Sequence, residues 1–432
     1  MSLTSWGNYP KVKNQVLCFD DKSKLAQILD EYDNLIAYGN GRSYGDSALN
    51  TNIVTVKAHN YFLDFDETNG LLHIQAGVLL SEILSVCVPR GWFLKVTPGT
   101  KLITVGGAIA SDVHGKNHHI AGCFSECLHM FNLMLPDGKI VKCSKKQNSE
   151  LYHATCGGMG LTGIILDAKI ALKKINSQYL NQTTIKTKNL KETFAAFDKY
   201  KDKAYSVAWI DSLAKGKELG RCLLMLGDFC DDGKLDYQTK SKWSVPCNFP
   251  SLFLNTLSIR LFNFLYYKKV RQKISRQKVD IDTFFYPLDK IDNWNRIYGK
   301  NGFIQYQFIL PLAASFEGLK EVLSLISASG KGSFLAVLKL HGAANNNYLS
   351  FPMEGYSLAL DFKMQKGLFK LLDSLDEVVM KHSGRIYLAK DARVKKEVFE
   401  QGYPQVEKFR ALRKKHGMNK KFNSLQSQRI GI

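Results

Sequence analysis

The sequence predicts an α+β protein of two domains, and three observations carry that prediction. The chain has 432 residues, room for two hydrophobic cores. Its first third alternates short apolar strands with glycine turns. Its last third reads β-α-β-β-α-β, the order of a split βαβ unit on an antiparallel sheet. Hydrophobic residues make up 45% and charged residues 23%, a globular rather than a disordered composition.

The elements follow in order. Asn34 to Tyr38 reads as a strand running into Gly39-Asn40-Gly41-Arg42-Ser43-Tyr44-Gly45-Asp46. Leu71 to Ala76 is a second strand, and Ser81 to Pro89 a helix before the turn at Gly91. Phe131 to Leu135 and Lys139 to Cys143 flank Pro136-Asp137-Gly138 as a hairpin. Gly157-Gly158-Met159-Gly160 precedes the apolar run Leu161 to Leu166. Later, Phe303 to Leu310 is a strand and Phe316 to Ser329 a helix stopped by Gly330. Phe334 to Leu340 and Tyr356 to Phe362 are strands. Gly367 to His382 is an amphipathic helix stopped by Gly384, and Arg385 to Ala389 a strand. Residues 177 to 300 show little pattern, and no internal repeat is visible.

Charge narrows the partners. There are 59 Lys+Arg against 39 Asp+Glu, a formal net charge of +20, which favours an anionic partner such as a phosphate ligand, a lipid headgroup or nucleic acid. No nucleic-acid module is present, so no nucleic-acid partner is expected. The nine cysteines are irregularly spaced without a C-x-x-C pair, which argues against a disulfide framework or zinc ribbon and for a reducing, cytoplasmic setting. Residues 1 to 11 lack the apolar stretch of a secretory signal. Pro250 to Tyr267 is rich in Leu, Phe, Ile and Tyr, and Lys268, Lys269, Arg271, Lys273, Arg276 and Lys278 follow. It is short for a membrane span. It suits either a segment lying at a membrane interface, peripheral on the inner membrane, or a core helix with a basic end.

Two stretches bear on chemistry. Gly106-Gly107-Ala108-Ile109-Ala110-Ser111-Asp112-Val113-His114 is an open backbone surface that a ligand can touch, ending in a histidine. The Gly39 loop has the spacing G-x-G-x-x-x-G, but no helix follows it, so it is not a dinucleotide fingerprint; its N–H groups can still cradle phosphate. His114 and His118 are four apart, as in a metal pair on a helix, yet Gly115 argues against a helix and no acidic third ligand stands nearby, so no metal is expected. A solvated loop and a cofactor contact both stay open for these histidines. Lys390, in Tyr387-Leu388-Ala389-Lys390-Asp391, ends a strand, where it can stabilise developing negative charge or be an ordinary exposed turn residue. Lys339 interrupts an apolar strand and calls for an anionic partner if buried. Gln305 and Gln307 share one strand face and can hold a polar ligand.

The Gly39 loop, Pro98-Gly99-Thr100, Gly106-Gly107-Ala108-Ile109-Ala110 and Gly157-Gly158-Met159-Gly160-Leu161-Thr162-Gly163 together resemble FAD-dependent oxidoreductases of the vanillyl-alcohol-oxidase class. Within it, His114-Gly115-Lys116-Asn117-His118-His119, Phe303 to Phe308, Leu349-Ser350-Phe351-Pro352, Tyr387 to Asp391 and the tail residues Tyr403-Pro404 and Arg429-Ile430 resemble the decaprenylphosphoryl-β-D-ribose 2′-oxidase family. The resemblance implies an α+β, two-domain vanillyl-alcohol-oxidase-type fold, with residues 1–176 and 385–432 binding FAD and 177–384 forming an antiparallel-sheet substrate domain. It places Arg42, Ser43, Tyr44, Gly99, Thr100, Thr104, Gly106, Gly107, Ala110, Val113, His114, Gly160, Ile165 and Tyr387 on FAD. It places Tyr286, Gln305, Gln307, Lys339 and Lys390 toward substrate, with Lys390 and His114 catalytic.

Arg42 stands where many relatives in the class carry an FAD-linking histidine, so FAD is expected to bind non-covalently. Ala359 stands where mycobacterial members carry a cysteine. The implied reaction is oxidation of the 2′-hydroxyl of a polyprenylphosphoryl-linked pentose to a keto-sugar, the first half of an epimerisation completed by an NAD(P)H-dependent reductase. A soluble alditol or aldonolactone oxidase on the same fold, and more distantly a non-enzymatic basic nucleic-acid-binding protein, are the alternatives.

Overall fold

The first domain opens with a three-stranded parallel sheet. The structure, a computed structural model, describes residues 2–238, 243–250 and 253–432; Ser251 and Leu252 of the apolar segment lie outside the described residues. Strands β1 (Gln15–Cys18), β2 (Leu35–Tyr38) and β3 (Asn52–Thr55) pair in the order β1-β3-β2. Parallel neighbours need a crossover, supplied by helix α1 (Lys22–Glu31), which Asp21 caps and which buries Leu25, Ile28 and Leu29.

A mixed-length antiparallel sheet follows. Its strands are β4 (Phe62–Asp66), β5 (Leu71–Gln75), β6 (Trp92–Leu94), β7 (Leu128–Met134), β8 (Ile140–Cys143) and β9 (Ile164–Lys174). The order is β4-β5-β9-β7-β8, with β6 also on β9. The apolar run noted at Leu161 to Leu166 leads into β9, whose first five residues are all buried at the centre of this sheet. Helices α2 (Leu80–Cys87), α3 (Val105–Ala110), α4 (His118–Ala121) and α5 (Ser149–Thr155) lie between these strands.

The second domain resolves the stretch that shows little pattern. Strands β10 (Tyr179–Thr187), β11 (Tyr205–Ile210) and β12 (Cys222–Phe229) come with helix α6 (Leu190–Lys199). After the short β13 (Trp243–Ser244), helix α7 (Thr256–Lys269) leads to β14 (Ile274–Asp280), α8 (Ile281–Phe285) and β15 (Ile291–Asp292). The pattern read from the last third then appears as β16 (Phe303–Pro311), α9 (Leu312–Ser329), β17 (Ala336–His341), β18 (Gly355–Lys363), α10 (Leu368–Lys381) and β19 (Arg385–Ile386). All eight long-sheet strands pair antiparallel in the order β14-β10-β12-β11-β17-β18-β16-β19.

That order contains two β-α-β-β-α-β units, β10 to β14 and β16 to β19, joined edge to edge through β11 and β17. The repeat lies in topology rather than in sequence, since strand pairing needs a pattern of burial and not residue identity. The units differ in one respect. Helices α6, α9 and α10 pack together over one face of the sheet. Helix α7 packs instead beside Trp209 and Leu223, leaving Leu257, Leu261, Phe264 and Leu265 exposed while Asn263 and Tyr267 are buried.

Two expected elements differ. The helix expected from Phe316 begins at Leu312, because Pro311 is compatible with a position just before a first helical turn. The strand expected over Arg385 to Ala389 stops at Ile386: Leu388–Lys390 is a 3₁₀ turn in which the Lys390 N–H donates to Tyr387 O at 3.0 Å. Helices α11 (Lys396–Gly402), α12 (Val406–Lys415), α13 (Met418–Lys421) and α14 (Leu425–Ile430) return the tail to the first domain. There Phe422 bridges Leu35, and Arg413, 1% exposed, donates to Leu161 O. Among the described residues no helix is long and apolar enough to cross a membrane.

Candidate active site

The uncovered face of the eight-stranded sheet meets the glycine loops of the first domain around a cavity of about 700 Å³, within the size range of small-molecule sites. Arg42, Ser43, Tyr44, Gly99, Thr100, Thr104, Gly106, Gly107, Ala110, Val113, Gly160 and Ile165 line one side. Gln305, Gln307 and Lys339 line the sheet side, and His114, Tyr387 and Lys390 also border the cavity. Residues spread over almost 350 positions of sequence therefore converge on one space.

The glycine side is shaped by main chain. Gly41 has φ +62°, and a Cβ there would fall 2.0 Å from the Tyr38 hydroxyl, so only glycine turns the loop this tightly. Gly99 differs, since a Cβ there would meet nothing within 4 Å and would project into open space. Asn40 Nδ2 donates to Leu102 O at 2.8 Å and ties the two loops together. Thr104 caps α3 by accepting from the Gly107 N–H. Thr100 lines the cavity but donates its hydroxyl to Asp289 at 2.8 Å, which links the domains. The Arg42 guanidinium lies 4.1 Å over the Trp6 ring. Smooth main-chain cradles of this kind, together with the buried and unpartnered Nδ1 of His114, fit a bulky planar cofactor with a phosphate-bearing tail.

The sheet side carries the charge. Gln305 Nε2 donates to Asp361 at 2.5 Å, and Gln307 Nε2 donates to His114 Nε2 at 3.2 Å. Lys390 Nζ stands 3.9 Å from the centre of the Tyr44 ring. Burial pulls the Lys390 ammonium down to about 7, with Asp361 opposing the shift and Lys339 adding to it. Burial likewise pulls Lys339 down to about 8 and pushes the Asp361 carboxyl up to about 7. His114 is held well below its ordinary value, first by burial and then by the charges of Lys339, His118 and Lys390, so it is neutral at physiological pH. The arrangement offers hydrogen-bonding amides and cationic groups to a polar, electron-rich ligand.

Residues 15–144 match the family described as an FAD binding domain. A decaprenylphosphoryl-β-D-ribose oxidase of Mycolicibacterium smegmatis is 33% identical over 100% of this chain and 97% of its own length. The chain belongs to that family. It is an FAD-dependent oxidoreductase. An uncharacterised Streptomyces coelicolor protein is 28% identical over 82% of this chain and all of its own length. A human Δ24-sterol reductase is 27% identical over only 26% of this chain and 21% of its own length.

Within this family fold, several site residues are placed differently from the sequence reading or were not singled out by it. Tyr286, expected to face substrate, does not line the cavity: its ring is fully buried and its hydroxyl pairs with Thr97 at 2.7 Å, because the Tyr286-Pro287 turn packs the ring between the domains. Phe284, Phe285 and Asp289 border the cavity instead. His114 and His118 are 5% and 3% exposed, so they are not on a solvated loop. With His341 they form a buried ring cluster, centroids 4.9 and 4.7 Å from His341. Among the described residues no group of His, Cys, Asp or Glu is arranged to hold a metal. Lys116 borders the cavity with no role read from sequence. Ser357 and Asp361 break the apolar run of β18, and that interruption is the signal that marks them. Ala359, on the same strand face, borders the cavity opposite Gln307.

Proposed function

We propose that this protein oxidises the 2′-hydroxyl of a pentose carried on a polyprenyl phosphate, of the decaprenylphosphoryl-β-D-ribose kind, to a keto-sugar. The observation that supports this most is the combination of a whole-chain family match with a cavity that runs from the glycine loops to a cationic, amide-lined sheet face. The glycine loops would hold FAD, and bound there it supplies the hydride acceptor. Gln305 and Gln307 hold sugar hydroxyls against that acceptor and exclude water. Lys390, as the ammonium, opposes the negative charge that builds on the sugar oxygen as its proton departs. Neutral His114 orients the cofactor side of the site through its unpartnered Nδ1. The keto product is then a substrate for a separate NAD(P)H-dependent keto-sugar reductase, and the two steps together epimerise the sugar.

FAD binding is non-covalent in this reading. Arg42 occupies the first glycine loop, where its guanidinium is stacked on Trp6, and among the described residues no cysteine borders the cavity. The exposed apolar face of α7 and the exposed Lys268, Lys269, Arg271, Lys273 and Arg276 support docking on an anionic membrane surface, on the cytoplasmic side. Lys278, the sixth base of that run, is ion-paired with Asp232.

The test is direct. Purified protein should be yellow and should release its flavin on acid precipitation. Short-chain polyprenylphosphoryl-β-D-ribose should bleach the flavin and yield a 2′-keto product, whereas alditols and aldonolactones should not. Rapid bleaching by a free alditol, with none by the lipid-linked pentose, would overturn the assignment.

A further inference from the structure

Four lysines border the cavity; Lys269 is exposed on α7, and among the described residues none of the other three is within ion-pair distance of a carboxylate. Lys390 lies on the Tyr44 ring. Lys116 donates to the Phe284 carbonyl oxygen and stands 4.7 Å from the Phe284 ring. The Lys339 ammonium makes no hydrogen bond to any described residue, and Lys339 lines the cavity. Asp361 acts on Lys390, but no carboxylate acts on Lys116 or Lys339. Leaving buried ammonium groups unpaired is costly, and apolar residues of similar volume would stabilise the same strand and loop better. Their retention on a cavity wall calls for an anion that arrives with the ligand.

We propose that Lys116 and Lys339 form an anion subsite that takes the phosphate joining the substrate's sugar to its carrier, on the sheet side and apart from the glycine loops. The proposal rests on the reading given under Proposed function and assigns the parts of that substrate to positions. Register supports it. Lys339 is directly opposite Ser357, and one step along the same sheet face Val337 is opposite Ala359, which is opposite Gln307. A phosphate at Lys339 therefore leaves the sugar beside Gln305 and Gln307. On the other side, Lys116 is hydrogen-bonded through its carbonyl to Ser206 on β11, and Trp209 of that strand borders the cavity with Tyr266 and Lys269 of α7. An apolar tail leaving the phosphate passes Trp209 and Tyr266 toward the exposed apolar face of α7.

A bound anion favours the ammonium form of both lysines. Lys116 is held near 7 by burial and by Lys339, and Lys339 near 8 by burial, so anion binding takes up protons and weakens as pH rises from about 7 to about 9. The other titratable groups facing them are His114, His118, His341, Lys390 and Asp361. Burial keeps the three histidines neutral over that range, while Lys390 and Asp361 titrate near 7.

The experiment uses the FAD-loaded protein and calorimetry at about pH 8, in two buffers of different ionisation heat. The probes are a short-chain polyprenylphosphoryl-β-D-ribose and the matching ethyl β-D-riboside. The phosphorylated probe should bind with proton uptake. Lys116→Met and Lys339→Met should each weaken it about tenfold or more, and Lys116→Arg and Lys339→Arg should recover most of the loss. Binding of the riboside should stay within about twofold. Flavin absorbance should be retained, and thermal melts of the Met variants should be no lower than wild type. Equal loss for both probes, absence of proton uptake, or release of flavin by the Met variants would overturn the subsite. Phosphate-dependent binding without oxidation of the probe would overturn the function assignment and leave the subsite standing. Oxidation with unaltered binding in both Met variants would overturn the subsite alone.

Discussion

Arg429→Met tests how the C-terminal tail holds Lys390 in place. Arg429 donates to Asp46 at 2.8 Å, to Asp391 at 2.8 Å and to Val394 O at 2.5 Å. The two carboxylates are 5% and 2% exposed and Arg429 only 25%, so solvent screens the cluster little. Asp391 adjoins Lys390, and Tyr44 N–H donates to Ala389 O, so the same cluster sets the geometry of the cavity. Removing the cation leaves two neighbouring buried carboxylates uncompensated, a loss of about 3–5 kcal/mol in the stability of the native state. The loss has a pH signature. Burial raises the Asp391 carboxyl, and Arg429 is the largest of the influences that together bring it below its ordinary value. In the variant that carboxyl moves up, as does Asp46, already raised by burial. Protonation then relieves the repulsion, so the deficit is largest near neutral pH and shrinks as pH falls toward about 5. Denaturant unfolding of wild type and variant at the two pH values measures it, with flavin release as a second readout. A deficit under about 1 kcal/mol, or one that does not change with pH, would refute the clamp.

Further outcomes follow from the same geometry. Lys390→Ala should retain FAD but slow its reduction by substrate about a hundredfold or more, read by stopped flow. Asp361→Asn removes the carboxylate that opposes the lowering of Lys390. Lys390 should therefore lose its proton at lower pH, and the fall in kcat/KM on raising pH through about 7 should begin earlier than in wild type; a later fall would count against the pairing. Leu261→Glu with Phe264→Glu on the exposed face of α7 should abolish sedimentation with anionic vesicles while sparing turnover of a short-chain substrate. Because Ala359 borders the cavity and, among the described residues, no cysteine does, thiol-directed reagents should leave flavin reduction unchanged, measured as the single-turnover rate after treatment.

Local backbone demands are written plainly in this sequence. Glycine at 41, the hairpin at Pro136-Asp137-Gly138 and the amphipathic period of α10 each depend on residues close in the chain, so composition and spacing reveal them. The split βαβ order of the last third is legible for the same reason, since each element carries its own period and stop. What determines Tyr286, Lys116 and Asp361 is distant. Tyr286 turns away from the cavity because its hydroxyl pairs with that of Thr97, 189 positions earlier. Asp361 matters because Gln305 and Lys390 close on it from two other segments. The second β-α-β-β-α-β unit was hidden because its strands are recognisable only by their partners, and the inverted face of α7 because its buried positions are polar. Burial, and the shifts it imposes on Lys116, Lys339 and Lys390, exists only once the sheet has closed over the glycine loops, since desolvation is a property of surroundings and not of residue type.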